Sequence, residues 1–148
     1  IDATEWIGPY NDLALGLHKA AKYYYTPGWQ EPNVTFELDV NLKAWETLPD
    51  DLKAIVRAAA RDVNGDMLDD YNAKNMEALE QLREQGVEVR RLPDEVLARL
   101  KEVAAEVVDA SAKADPVAAK VWEQQSAYLK RLYEYAELNE KDIYNIRG

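Results

Sequence analysis

The chain of 148 residues carries 28 acidic side chains against 18 basic ones, a formal charge of −10, and such a surface repels phosphate backbones and argues against nucleic acid as a partner. It has no cysteine, which removes disulfides, thiolate nucleophiles and zinc–sulfur sites. No apolar run approaches the roughly 20 residues that a membrane-spanning helix needs.

The sequence opens on Ile1-Asp2-Ala3 rather than Met, and it reads as the middle of a longer chain. Pro9 suits the first turn of a helix, where its missing N–H is no loss. Leu13, Leu17, Ala20 and Ala21 follow at helical spacing, predicting a helix from residue 9 to about 23. Tyr23-Tyr24-Tyr25 then lead into a turn at Thr26-Pro27-Gly28. Residues 35–42 predict the cleanest strand: Phe36, Leu38, Val40 and Leu42 alternate with Thr35, Glu37, Asp39 and Asn41. Asn41 to Trp45 turn into a short helix. Pro49-Asp50-Asp51 opens a long one, with acidic residues where the helix dipole favours them. Its apolar stripe runs through Leu52, Ile55, Val56, Ala59, Val63 and Met67, then Tyr71, Asn75, Ala78, Leu79 and Leu82, to a stop at Gly86. Such a helix spans on the order of 50 Å, long enough to pass from one lobe to another.

Residues 87–92 predict a second, short strand with Arg90-Arg91 at its end. Pro93-Asp94-Glu95 starts another helix, and Asp115-Pro116 caps a last one. That last helix holds Val117, Val121, Trp122, Tyr128, Leu129, Leu132 and Tyr133 around much of its circumference, so it is expected to be buried on several sides or shared with a partner chain. Two strands separated by a long helix cannot make a sheet of normal size. The expected class is therefore α/β, helix-rich, supplying a few strands to a larger mixed sheet.

Two short runs qualify as ligand sites. Glu5-Trp6 stands before a helix start, where a carboxylate can ligate a cation, an indole can lie against a small organic ligand, and free N–H groups attract anions. The same two residues can equally be a dipole complement and a core aromatic. Trp29-Gln30-Glu31-Pro32 puts an aromatic, an amide and a carboxylate in succession, oxygen donors suited to sodium or calcium, or else a solvated turn. His18, the only histidine, stands mid-helix beside Lys19 and reads as structural. Asn33-Val34-Thr35 matches a glycosylation sequon of a kind common by chance, and the pairs Asp69-Asp70 and Arg90-Arg91 read as solvated faces. No nucleophile–base pair, glycine-rich phosphate loop or metal-type histidine pair is present. An acidic chain that binds an anion needs positive charge from a cation, from helix N-termini or from a segment outside this sequence.

The run Asp2-Ala3-Thr4-Glu5-Trp6-Ile7-Gly8-Pro9-Tyr10-Asn11-Asp12 resembles the solute-binding proteins of TRAP transporters, the DctP-type periplasmic receptors. The resemblance continues through Lys22-Tyr23-Tyr24-Tyr25, Pro27 to Pro32, Asn41 to Pro49 and the long helix, and it aligns with the C-terminal half of that family, the whole of residues 1–148 being one portion of such a receptor. It implies two α/β lobes closing over a small organic acid, with long helices shared between lobes, and delivery to a sodium-driven membrane permease. The Glu-Trp subgroup resembles receptors for 2-oxo acids and lactate, in which a sodium or calcium ion bridges the ligand carboxylate to the protein. By position, Glu5 would ligate the metal through its carboxylate and Trp6 through its backbone oxygen, with a further oxygen from Glu31 or Gln30. Trp6 and Trp29 would contact the substrate. Many relatives have His where Gln30 stands, and the arginine that pairs with the substrate carboxylate lies in the half not present. Some relatives form homodimers by exchanging a C-terminal helix.

Two other readings compete with a receptor. The broadly apolar helix after Pro116 fits a helical structural or dimerisation module with no small ligand. A small lyase or hydrolase using Glu5 or Glu31 as base ranks last, since neither has an acid or nucleophile paired with it.

Overall fold

A computed structural model describes residues 2–33 and 36–147. The chain divides into two compact units, residues 1–92 and 93–148.

In the first unit, α1 (Pro9–Leu15) ends at Gly16, whose φ of 73° is left-handed and whose N–H returns to Leu13 O. Glycine takes this conformation without the steric cost a Cβ brings. The helix expected to reach residue 23 therefore stops seven residues in, and a 3-10 turn (Leu17–Lys19) follows. The three tyrosines, expected at the end of a helix, instead begin β1 (Tyr23–Thr26). After α2 (Leu42–Thr47), capped by the Asn41 side chain on the Ala44 N–H, comes α3 (Asp50–Glu84), 35 residues long.

Gly86 stops α3 as expected. At φ 86° it lets its own N–H bond Arg83 O while the Val87 N–H reaches back to Leu82 O, the paired geometry that satisfies the last carbonyls of a helix. The chain passes straight into β2 (Glu88–Arg91), which pairs in parallel with β1, Tyr24 opposite Val89. Backbone bonds from Glu88 to Lys22 O and from Leu92 to Thr26 O close the ends of the ladder.

The core of this unit is small. Ala78, Leu82 and Val87 are buried where the end of α3 turns into β2. Toward the middle of α3, Tyr10 of α1 meets Tyr71 edge-on with ring centroids 6.2 Å apart, and the Lys74 ammonium lies 5.1 Å above the Tyr10 ring. Further up α3, Leu52, Ile55 and Val63 of the expected stripe are exposed.

The strand expected over residues 35–42 is not formed. Thr35 lies outside the described residues, Phe36 to Asn41 run without a ladder, and Leu42 begins α2. Phe36, Leu38 and Val40 are exposed. Alternation prepares a segment for a sheet, but a strand needs a neighbour's N–H and C=O groups, and no described residue offers them here.

In the second unit, α4 (Asp94–Lys113) and α5 (Pro116–Leu138) form a helical hairpin, followed by α6 (Glu140–Arg147). The Asp115 carboxylate accepts from the N–H groups of Val117 and Ala118 at 2.8 and 2.9 Å, the expected cap. An open apolar groove between the helices is lined by Val107, Val108, Ala112, Val121 and Trp122. Among the described residues of this unit only Ala112 is buried. Of the two alternatives for α5, burial on several sides is not met within this unit, where Val117, Val121, Tyr128 and Tyr133 are exposed; a shared partner surface is the other.

Candidate ligand site

Glu5 and Trp6 lie in the segment without regular secondary structure that enters α1. The entry is fixed from α3: Asn75 Oδ1 accepts the Tyr10 N–H at 3.0 Å. Gly8 passes so close that an added Cβ would stand 3.3 Å from the same oxygen, which is why the smallest residue precedes Pro9. The Asp12 N–H bonds Gly8 O at 2.9 Å. Pro9 has no N–H and that of Tyr10 is taken by Asn75, so two of the first-turn positions expected to attract an anion offer no free donor.

The second segment leaves β1 through Thr26-Pro27, a cis peptide bond, and a tight turn in which the Trp29 N–H meets Pro27 O at 2.9 Å. Trp29, Gln30 and Glu31 follow, all exposed. Trp6 and Trp29 are 53% and 40% exposed; Trp6 is thus not a core aromatic within this chain, while exposure at Trp29 fits a ligand loop and a solvated turn alike.

One hydrogen bond joins the elements that carry these segments. The Tyr24 hydroxyl of β1 donates to Asp12 Oδ2 of α1 at 2.6 Å. Asp12 is the one buried charged residue among those described, and its Oδ1 has no partner. Burial raises the Asp12 carboxyl above the ordinary carboxylate range, and the Tyr24 hydrogen bond offsets this only in part. The Tyr24 hydroxyl is pushed up strongly by burial, then by its hydrogen bond to Asp12 and by that residue's charge.

Among the described residues no three Asp, Glu, His or Cys side chains gather in a way that could hold a metal. The expected donors are of another composition: two carboxylates (Glu5, Glu31), one amide (Gln30) and one backbone oxygen (Trp6). Hard oxygen donors of this kind suit sodium or calcium, and both carboxylates are exposed. A ligand carboxylate or further chain oxygens would have to complete the shell.

A groove of about 350 Å³ in the first unit lies elsewhere. His18, Lys19, Lys22, Gln85 and Gly86 line it at the far end of α3, touching neither segment. His18 is half-buried there, and its Nδ1 is hidden without a partner among the described residues. Asp12, Tyr24 and Asn75 were not singled out by sequence reasoning. The available signal was Asn75 itself, a polar residue inside the apolar stripe of α3.

The profile of the DctP family, described as bacterial extracellular solute-binding protein, family 7, matches residues 1–115. The chain belongs to this family. It is 37% identical, over 98% of its length, to a monocarboxylate 2-oxoacid-binding periplasmic protein of Nostoc sp.. It superposes with a TM-score of 0.91, over 99% of its length and at 31% identity, on a TRAP transporter solute-binding protein of Bordetella bronchiseptica. That protein is described as a mixed-occupancy dimer with copurified calcium and picolinate in one active site and the other site apo. The chain spans 40% of the first relative and 44% of the second. Its α/β class, rich in helix and poor in strand, is thus that of part of a TRAP solute-binding protein.

Proposed function

We propose that this chain is the C-terminal portion of an extracytoplasmic receptor of a TRAP-type transporter. The receptor binds a small monocarboxylate, a 2-oxo acid such as pyruvate or else lactate, in the periplasm and hands it to the membrane permease without chemical change. The observation that carries this reading is the exposed Glu5-Trp6 segment, held at its entry to α1 by Asn75 and joined through Asp12 and Tyr24 to the strand that leads to Gln30-Glu31. The 2-oxo acids of the Nostoc relative and the picolinate of the Bordetella one support the substrate class. Picolinate and a 2-oxo acid share a carboxylate beside a second donor atom, so each can close a five-membered chelate ring on a cation.

In this reading Glu5, the Trp6 backbone oxygen and Glu31 or Gln30 hold calcium or sodium, and the indoles of Trp6 and Trp29 wall the ligand. Calcium accepts about six to eight oxygens, more than these residues supply, which leaves room for the two donor atoms of the ligand. The cation supplies the positive charge that an acidic protein needs to hold an anion. At the start of α1, Pro9 has no N–H and the Tyr10 N–H is taken by Asn75, so neither can supply it.

Calorimetry of the full-length protein with pyruvate, 2-oxobutyrate and lactate checks the substrate class. Saturable heat with at least one of these acids, and none with succinate, is expected. The absence of heat with every 2-oxo and 2-hydroxy acid contradicts it.

A second reading accompanies the first. The exposed Val117, Val121, Tyr128 and Tyr133 of α5 and Ile143, Tyr144 and Ile146 of α6 form an apolar surface fit for a homodimer contact.

A further inference from the structure

We propose that Asp12 and Tyr24 are positioning residues: their hydrogen bond sets the spacing between the Glu5-Trp6 segment and the Trp29-Glu31 loop, so that one cation can meet oxygens from both. The inference rests on the receptor reading above.

The two segments share no hydrogen bond, ion pair or ring contact among the described residues. Each leaves directly from one of two elements, α1 and β1, and the contact that bridges those elements is Tyr24 Oη to Asp12 Oδ2 at 2.6 Å. A charge-assisted bond of this length tolerates little variation in distance or angle. The other attachments point elsewhere: Asn75 ties α1 to α3, and the ladder ties β1 to β2. Loss of the Asp12–Tyr24 bond would leave each segment well anchored but free to shift against the other.

The pair is a poor device for stability. A buried carboxylate with one donor and one empty oxygen loses more on desolvation than it regains. An apolar pair would pack α1 on β1 without that cost. What the pair supplies, and an apolar contact does not, is a fixed geometry between two ligand-bearing strands of chain.

The test uses the full-length protein with terbium as calcium probe, its luminescence sensitised by tryptophan, in the presence of pyruvate. Tyr24→Phe is expected to weaken terbium and pyruvate binding about ten- to a hundredfold, as loss of residues that orient metal ligands does. It should also shorten the luminescence lifetime of the bound ion in water relative to deuterium oxide, because a displaced ligand is replaced by water. Asp12→Asn keeps an acceptor for Tyr24 but loses the charge that shortens the bond, and should weaken binding less than Tyr24→Phe does. The double variant Asp12→Asn with Tyr24→Phe removes the bond without stranding a buried charge. It should lose affinity as Tyr24→Phe does, which covers the case in which Tyr24→Phe alone fails to fold. A folded Tyr24→Phe or double variant with wild-type affinity and lifetime overturns this inference alone. A wild-type protein with no saturable terbium signal overturns the receptor reading and this inference with it.

Discussion

Asp12 carries a cost that pH can reveal. Its folded carboxyl titrates above the unfolded value because burial disfavours the charge, and the bond from Tyr24 recovers only part of the loss. The folded state therefore holds its proton to higher pH than the unfolded state does. By linkage, stability is highest below the unfolded pKa and falls as pH rises through the folded one. Asp12→Asn removes this titration. Urea unfolding from pH 4 to 7 should show the variant gaining on wild type as pH rises, and a difference independent of pH contradicts the account. Glu5 and His18 give a contrast in function. Glu5→Ala should cost more than tenfold in 2-oxo acid affinity, the order expected on removing a direct metal ligand. His18→Ala, half-buried at the distant groove, should leave affinity unchanged in the same titration.

The elements show where sequence pattern was sufficient. Gly86 and the Asp115-Pro116 cap were legible because their signals are local: a left-handed residue and a side-chain acceptor act on neighbours in the chain. Gly86→Ala should lower stability by about 1–2 kcal/mol, the cost of a left-handed conformation with a Cβ. No atom stands within 4 Å of that Cβ, so the penalty is backbone strain and not a clash. Leu82→Ala, at the most buried side chain of the core, should cost about 2–5 kcal/mol. Thermal unfolding of both variants checks the order, and a neutral Gly86→Ala would be inconsistent with the φ of 86°. One failure was as local as these successes, and the others were nonlocal. The apolar spacing of Leu13, Leu17, Ala20 and Ala21 continued past Gly16, whose left-handed turn ended the helix first. Phe36, Leu38 and Val40 alternate as a strand should, but pairing depends on a partner that periodicity does not contain. The candidate segments were singled out through two carboxylates and two tryptophans. The Asp12–Tyr24 and Tyr10–Asn75 contacts that hold them depend on which elements meet.

Taken as a molecule, the chain combines a large acidic excess with few buried residues in either unit. Ile55 and Val63 on α3, Phe36 and Leu38 before α2, and Tyr128 and Tyr133 on α5 are surfaces of the kind proteins cover. The family profile ends at residue 115, where the α5 cap begins, whereas the Nostoc and Bordetella relatives align almost to the end of the chain. The helices after Asp115 are therefore shared with these relatives beyond the segment that the family profile describes. If α5 and α6 form a homodimer contact, light scattering of the full-length protein should give twice the monomer mass, and Tyr144→Glu with Ile146→Glu should return it to monomer. A strict monomer in the unaltered protein contradicts that reading.

The central claim is that Glu5-Trp6 is the cation-and-carboxylate corner of a receptor. The most direct measurement is a pyruvate titration of the full-length protein, stripped of metal and then reloaded with calcium or sodium, in wild type and Glu5→Ala. The account predicts tight binding only with metal present, and its loss in Glu5→Ala whichever ion is supplied. Equal binding of pyruvate by the stripped protein, or by Glu5→Ala, would contradict it.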